Sequence, residues 1–299
     1  MVPKVSVGLP VYNGAAYLHK ALDSILGQTV SDLEIVISDN ASSDETERIC
    51  RAYAARDPRV RYFRNPVNRG VGWNYNRVAR LARGEFFLWV AHDDLLAPEY
   101  IRGCVQELER DSSAVLCCSN EIVVNEGGEE VGRQQQIDFS GSGSPHERFR
   151  QMIDMRHNCD AIYGVMRRDV LRRTAMHGDF ADSDRCLLAE LALHGRFARL
   201  PDYLFLHREH EERVTRKYPT RQLRNAVESG QGARFMFPHF RQLREYAAAI
   251  HRAPLSWGEK QRCYAQLPSW VFSNALRLGN DLRFVAIQAV RPILRMRYN

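Results

Sequence analysis

No stretch of the 299-residue chain approaches 18 consecutive apolar residues, so no membrane-spanning helix is expected. No Cys-x-x-Cys pair occurs. The seven cysteines (Cys50, Cys104, Cys117, Cys118, Cys159, Cys186 and Cys263) are odd in number and scattered. That argues against a structural zinc and against a disulfide framework, and reduced thiols in the cytoplasm are expected. The opening MVPKVSVGLP reads as a strand and lacks signal-peptide anatomy. No helix-turn-helix, zinc-finger or aromatic RNA-binding signature appears, so nucleic acid is not an expected partner. A dinucleotide fold needs Gly-x-Gly-x-x-Gly after its first strand. Here that segment is Gly8-Leu9-Pro10-Val11-Tyr12-Asn13-Gly14, with proline where backbone N–H groups would be required. A Walker A loop and a Gly-x-Ser-x-Gly elbow are also missing, as is any internal repeat.

What remains is a globular composition. Hydrophobic residues make up 44%, charged residues 26% and aromatics 10%, enough for a substantial core in one large domain or two small ones. The net charge of +6 is uneven: residues 201–299 carry 17 Lys+Arg against 8 Asp+Glu, so the first 200 balance to −3. A basic C-terminal third calls for an acidic partner, with an anionic membrane surface the better candidate, or is a solvated Arg-rich surface.

Residues 4–9 and 33–38 read as buried strands, 60–63 as a short one, 85–91 as a strand rich in Phe and Trp, and 114–124 as a fifth. Helices are predicted over 15–27, where Leu18, Leu22 and Ile25 share a face, over 44–56, over 72–82 and from Pro98 to about 110. This βα alternation predicts a parallel sheet covered by helices on both faces, with ligands beyond the carboxyl ends of the strands. Asn125-Glu126-Gly127-Gly128 is a predicted hairpin turn. Beyond it, 161–167 and 200–207 read as strands, 184–194 as a helix, and the chain after Pro219 as helical, with breaks near Gly230, Gly232, Pro238, Pro254 and Pro268.

Three features sit at predicted strand ends. Pro10 stops the first strand, and Asn13-Gly14 permits a positive-φ turn. Tyr12 is then placed to pack on a flat ring, or the segment is an ordinary strand-to-helix turn. Asp39 follows the second strand, where a carboxylate accepts from a ribose hydroxyl or base N–H, or else begins a turn with Ser42, Ser43 and Asp44. His92-Asp93-Asp94 leaves an apolar strand, where two adjacent carboxylates are costly unless a divalent cation such as Mn²⁺ or Mg²⁺ compensates them. The alternative is an acidic loop capping the next helix.

In order, PVYNG, ISDNASSD, the spaced Asn68, Gly70 and Asn76, and ARGEFFLWVAHDD resemble the inverting family 2 glycosyltransferases of the GT-A fold. The resemblance covers residues 4 to about 208. It implies an α/β fold with a Rossmann-like, mostly parallel sheet covered by helices. It implies a catalytic domain over 1–215, its nucleotide-binding half 1–125 and acceptor-side half 126–215, and a helical C-terminal extension over 216–299. By resemblance Pro10, Val11, Tyr12, Asp39 and Asp93 hold the nucleotide and Asp94 the metal. His92 departs from the family, which often has Asp, Ser or Thr there. The family's catalytic carboxylate precedes a helix, with Gly eleven residues on; Asp184 and Gly195 match that spacing. Ser183 replaces the usual Glu, which leaves Asp182 as a competitor, and Asp184 alternatively caps the helix. His207, Arg208 and His210 in LHREHEERVTR match a segment that touches the diphosphate or metal, with His210 a candidate ligand.

The implied activity is transfer of a sugar, a hexose or a related one, from a nucleotide-diphosphate sugar to an acceptor hydroxyl with inversion, in cell-surface polysaccharide or glycolipid assembly. Asp184 serves as general base and a cation at Asp94 stabilises the departing diphosphate. The alternative is a nucleotide-sugar-binding protein of the same fold without transferase activity. A nucleotidyltransferase is disfavoured because PVYNG has no basic residue to hold a triphosphate. The acceptor, a glycan or a lipid-linked one, would lie against 125–180. Residues 267–299, with an apolar stripe through Phe284, Ile287, Val290 and Ile293, are expected either at the inner face of the membrane or packed on protein.

Overall fold

Alternate residues of the predicted strands face opposite layers. In β4 (Phe86–Trp89) Phe86 and Leu88 enter one core while Phe87 and Trp89 enter the other. All seven residues of β1 (Val5–Val11) and of β2 (Leu33–Asp39) are buried, as a sheet covered on both faces requires. The computed structural model describes residues 2–136, 143–154, 158–217, 224 and 237–284. One layer packs α1 (Leu18–Leu26), α2 (Thr46–Arg56) and α4 (Tyr100–Arg110) on the sheet. The other packs α3 (Val71–Leu81) and α7 (Ser183–His194) on the sheet, with α5 (Pro145–Asp154) and α9 (Pro238–Arg252) packed on α7. Short helices α6 (Arg168–Leu171) and α8 (Val214–Lys217) precede and follow α7.

The remaining strands are β3 (Val60–Arg64), β5 (Leu95–Leu96), β6 (Ala114–Val124), β7 (Glu130–Gln134), β8 (Val165–Arg167) and β9 (Arg196–Arg208). The sheet order is β3-β2-β1-β4-β8-β6-β9-β5, with β7 on β6 as the expected hairpin. The first four strands are parallel. The fifth predicted strand does not join them directly: β8 lies between β4 and β6, antiparallel to both. The fold is the mostly parallel, helix-covered sheet that was expected, with an antiparallel insertion and a second parallel pair, β6 and β9.

Pro10 does not stop β1, which runs on to Val11 and pairs Pro10 with Ser38. The Gly8 carbonyl accepts the Val90 N–H. Two residues on, Pro10 faces that same side, past the last paired residue of β4, where no donor is needed. Gly8 has no room for a side chain, since a Cβ would lie 2.7 Å from Val78 and 2.8 Å from Phe87.

Seven unpaired cysteines agree with the expected thiols. The C-terminal helices α9, α10 (Trp257–Tyr264) and α11 (Leu267–Ser273) share the α7 core through Tyr246, Ile250, Cys263 and Trp270. Residues 275–284 are also helical. Trp270, 3% exposed, packs edge-on to Tyr246 at 5.6 Å and is not available to a membrane, whereas Phe272 and Leu276 are 86% and 87% exposed. The predicted stripe from Ile287 onward and the breaks at Gly230 and Gly232 lie outside the described residues. Among the described residues no helix is long and apolar enough to cross a membrane.

Candidate active site

The loops after β1, β2 and β4 meet at one end of the sheet. Asn13 takes the positive φ of the first turn, at 50°. Its N–H donates to Ser42 Oγ at 2.9 Å and its Oδ1 accepts the Ser43 N–H at 2.8 Å, so the first two loops are interlocked. Asp39 sits in the turn: Oδ1 accepts the Ser42 N–H at 2.8 Å and Oδ2 the Tyr62 hydroxyl at 2.7 Å, with the side chain wholly covered. Pro10 and Val11 are also buried, whereas Tyr12, 48% exposed, projects into solvent.

Behind these loops lies an asparagine network of which sequence reasoning marked Asn68 alone. Asn40 accepts from Asn65 Nδ2 at 2.9 Å and from the Arg69 N–H at 3.0 Å, and donates to Asn68 at 2.8 Å. Asn74 accepts the Ser38 hydroxyl at 2.6 Å. The accumulation of Asn over residues 65–76 was the available signal.

A cleft of about 290 Å³ opens beyond β4. Asp93, Asp94, Asp182 and Asp184 all line it, with Tyr75, Tyr163, His92, His177 and Arg213. The two acidic motifs, some ninety residues apart in the sequence, are thus brought to one site. Asp94 is 3% exposed and accepts the Arg208 N–H at 2.9 Å. Burial, then the neighbouring Asp93, holds its carboxyl well above the ordinary range. Asp93 goes the other way: burial raises it, but the His210 hydrogen bond and the charges of His92 and His210 outweigh that and hold it low. His210 Nε2 lies 2.9 Å from Asp93 Oδ2, so His210 meets the acidic pair through Asp93. Arg208, fully buried, donates to the carbonyls of Asp93, Asn125 and Glu126, and so ties the acidic loop to the β6–β7 hairpin. His207 Nδ1 is buried without a hydrogen bond, 3.7 Å from Asp94 Oδ1.

Among the described residues no three of His, Cys, Asp and Glu are grouped to hold a metal ion by themselves. An adjacent carboxylate pair, Asp94 buried and Asp93 partly so, beside an unbonded imidazole nitrogen nonetheless fits a hard cation that completes its shell with phosphate oxygens and water. Mg²⁺ and Mn²⁺ commonly bind through one or two carboxylates in this way.

Asp184 is the second residue of α7 and not its cap. The cap position is Asp182, in the left-handed region at φ 65°, and Gly195 ends the helix as the spacing predicted. Asp184 Oδ1 accepts the Arg185 N–H at 2.7 Å. Burial, then the Asp182 charge, pushes the Asp184 carboxyl up to about 6. Asp160 adds to the raised values of both Asp94 and Asp184.

Two groups beside the site, one half-buried and one buried, were not foreseen. His177, pushed down to about 4 by burial, is a neutral imidazole packed edge-on to Tyr75 and Trp89 at 5.0 and 4.9 Å. No local pattern marks it. Glu121, 2% exposed in β6, is pushed up to about 9 by burial and then by Asp160 and Asp94, so it is protonated at neutral pH. The polar pair Asn120-Glu121 inside an apolar strand was its signal.

The model of glycosyl transferase family 2 matches residues 6–174. The chain belongs to this family. A chondroitin synthase of Escherichia coli is 37% identical over 127 residues, which is 42% of this chain and 18% of that protein. A hyaluronan synthase of Pasteurella multocida is 33% identical over 127 residues, 42% of this chain and 13% of that protein. The match thus spans less than a fifth of either relative. Among solved structures, TarS 1–349 of S. aureus in complex with UDP-GlcNAc superposes with a TM-score of 0.66 at 19% identity, covering 90% of this chain and 73% of that one. A mannosyltransferase of Pyrobaculum calidifontis in complex with GDP-Man and Mn²⁺ gives 0.54 at 18% identity, covering 97% and 81%. These likenesses are in fold: this family 2 glycosyltransferase has the GT-A architecture.

Proposed function

We propose that this glycosyltransferase moves a sugar, a hexose or a close relative, from a nucleotide-diphosphate sugar to an acceptor hydroxyl with inversion of configuration. The observation that carries the reading is the shared cleft. It places a carboxylate pair suited to a cation and a phosphate beside a separate half-buried carboxylate raised to about 6. A carboxylate with that value is ionised at neutral pH and still basic enough to take the acceptor proton as attack begins. Attack from the face opposite the leaving group inverts the anomeric carbon, and no covalent enzyme intermediate is needed.

Tyr12, Pro10, Val11, Asp39 and Asp93 form the nucleotide side in this reading, with Tyr12 the side chain free to stack on a base. Asp94 would hold Mn²⁺ or Mg²⁺, with His210 steadying the pair through Asp93. When bound, the cation supplies Lewis-acid stabilisation of the departing diphosphate. Tyr75 and Trp89 pack edge-on against His177 on the wall of the cleft. Residues 1–215 carry the site and 216–299 the extension in this division of the chain. A glycan or lipid-linked acceptor would enter from the 126–215 side, in polysaccharide or glycolipid assembly. The exposed Phe272 and Leu276, with Arg277 nearby, suit contact with an anionic inner membrane face.

The test is a thermal-shift screen of sugar nucleotides with and without Mn²⁺, followed by hydrolysis and transfer assays on the wild type and Asp184→Asn. A Mn²⁺-dependent shift together with turnover that Asp184→Asn lacks supports the reading. A nucleotide shift with no turnover under any acceptor would favour the binding-protein alternative.

A further inference from the structure

The segment 174–183, between α6 and α7, delivers Asp184 to the cleft. It contains two non-glycine residues in the left-handed region, Met176 at φ 58° and Asp182 at φ 65°. Such backbone persists only where the surroundings impose it. One constraint comes from α3. The Asn76 side chain donates to the His177 carbonyl at 2.7 Å and accepts the His177 N–H at 2.9 Å. Gly72 lies so close beneath Gly178 that a Cβ would stand 2.3 Å from the Gly178 carbonyl oxygen.

The other constraint comes from the C-terminal region. Glu190 of α7, 2% exposed, accepts the Ala175 N–H at 3.0 Å, one residue before Met176. That carboxylate is held in turn by Arg252 of α9, through Nε at 2.8 Å and Nη2 at 3.1 Å. The fork geometry is one that arginine offers and lysine does not. Further along, the Arg241 guanidinium of α9 lies 4.4 Å over the ring of Phe180, which is 4% exposed, and pairs with Asp179. Neither arginine lines the active-site cleft. Both border a separate pocket, behind the segment.

We infer that Arg241 and Arg252 are positioning residues: they clamp residues 174–183 from behind, against Asn76 and Gly72, and so fix Asp184 in its reactive position. The C-terminal region is then part of the catalytic unit and not only an attachment surface. The inference rests on Asp184 being the base. An error of about 1 Å in such a group costs on the order of 100-fold in rate, so the clamp belongs in kcat and not in donor affinity.

The experiment uses the full chain as wild type, Arg241→Ala, Arg252→Met, the double variant and Arg252→Lys. Amide hydrogen exchange over 174–184, UDP affinity, and kcat and KM for UDP-GlcNAc and GDP-mannose are measured on each. Exchange in the segment should quicken in the double variant while UDP affinity stays within twofold. Turnover should fall about 10- to 100-fold at unchanged KM, and Arg252→Lys should recover part of it. Arg241→Ala alters a partly exposed pair and tests the same point where Arg252→Met folds poorly. Unchanged exchange in the double variant overturns the clamp, and so does a parallel loss of kcat, KM and melting temperature. If the wild type turns over neither donor, the result counts against the proposed transferase activity with these donors, and hydrogen exchange alone then decides whether the clamp exists.

Discussion

Asp184→Asn should separate catalysis from stability if Asp184 is the base proposed above, because the burial that would suit the carboxylate to that role makes it a poor structural residue. The group sits near 6 in the folded chain against an ordinary 3.8. Below pH 3.8 it is protonated in both states and costs nothing. As pH rises toward 6, the unfolded chain releases its proton and the folded chain does not, so stability falls; above about 6 the loss is complete. A difference of about two units corresponds to roughly 3 kcal/mol, an upper figure that water in the open cleft reduces. Asn keeps the shape without the charge. The variant should therefore match the wild type near pH 4 and become the more stable protein above pH 6. Meanwhile kcat should drop by about 10²–10⁴, the usual worth of a general base, or roughly 3–5 kcal/mol. The wild-type rate should rise with pH through about 6, as Asp184 ionises. Urea titrations at pH 4.5 and 7.5, with initial rates from pH 5 to 8, read both effects. Asp94 and Glu121 are present in both proteins, so the difference between the two isolates position 184. A stability gain independent of pH, or turnover within tenfold of wild type, would refute the assignment. An inactive Asp182→Asn beside an active Asp184→Asn would move the base to Asp182.

Asp94→Asn should weaken UDP binding in Mn²⁺ and leave the residual affinity in EDTA unchanged, since one hard ligand and one charge are lost; equal wild-type affinity in both buffers by calorimetry would remove the cation from the scheme. Trp270→Ala should destabilise the chain by about 3–5 kcal/mol in urea unfolding, because the ring is buried against Tyr246. Phe272→Ser with Leu276→Ser should lower binding to anionic vesicles without altering melting temperature. Cosedimentation at low salt that is identical to wild type would show that this face does not carry membrane contact. Deleting 267–299 is a poorer test, because it removes Trp270 from the core.

Much of the site could be read along the chain. Strongly apolar runs at 33–38 and 85–91 declared buried strands; position at a strand end marked Asp39, and the cost of two adjacent carboxylates after such a run marked Asp93-Asp94. Asp184 stood at a predicted helix start, and the resemblance to the family singled it out there. Each of these signals lies within a few residues of the group it identifies. The rest depended on partners far away in sequence. The insertion of β8 between β4 and β6 is set by side-chain packing and register, which a three-residue strand does not announce. His177 is neutral because Tyr75 and Trp89, about a hundred residues earlier, wall it off. Asn76 was marked only as one of the spaced residues that carry the family resemblance, and the fold is what brings its amide to the His177 backbone. Arg241 and Arg252 read as solvated charge in a basic tail. Folding α9 onto α7 turned them into contacts behind the segment that leads into Asp184, because burial and hydrogen bonding between distant elements are properties of the packed chain and not of its local pattern.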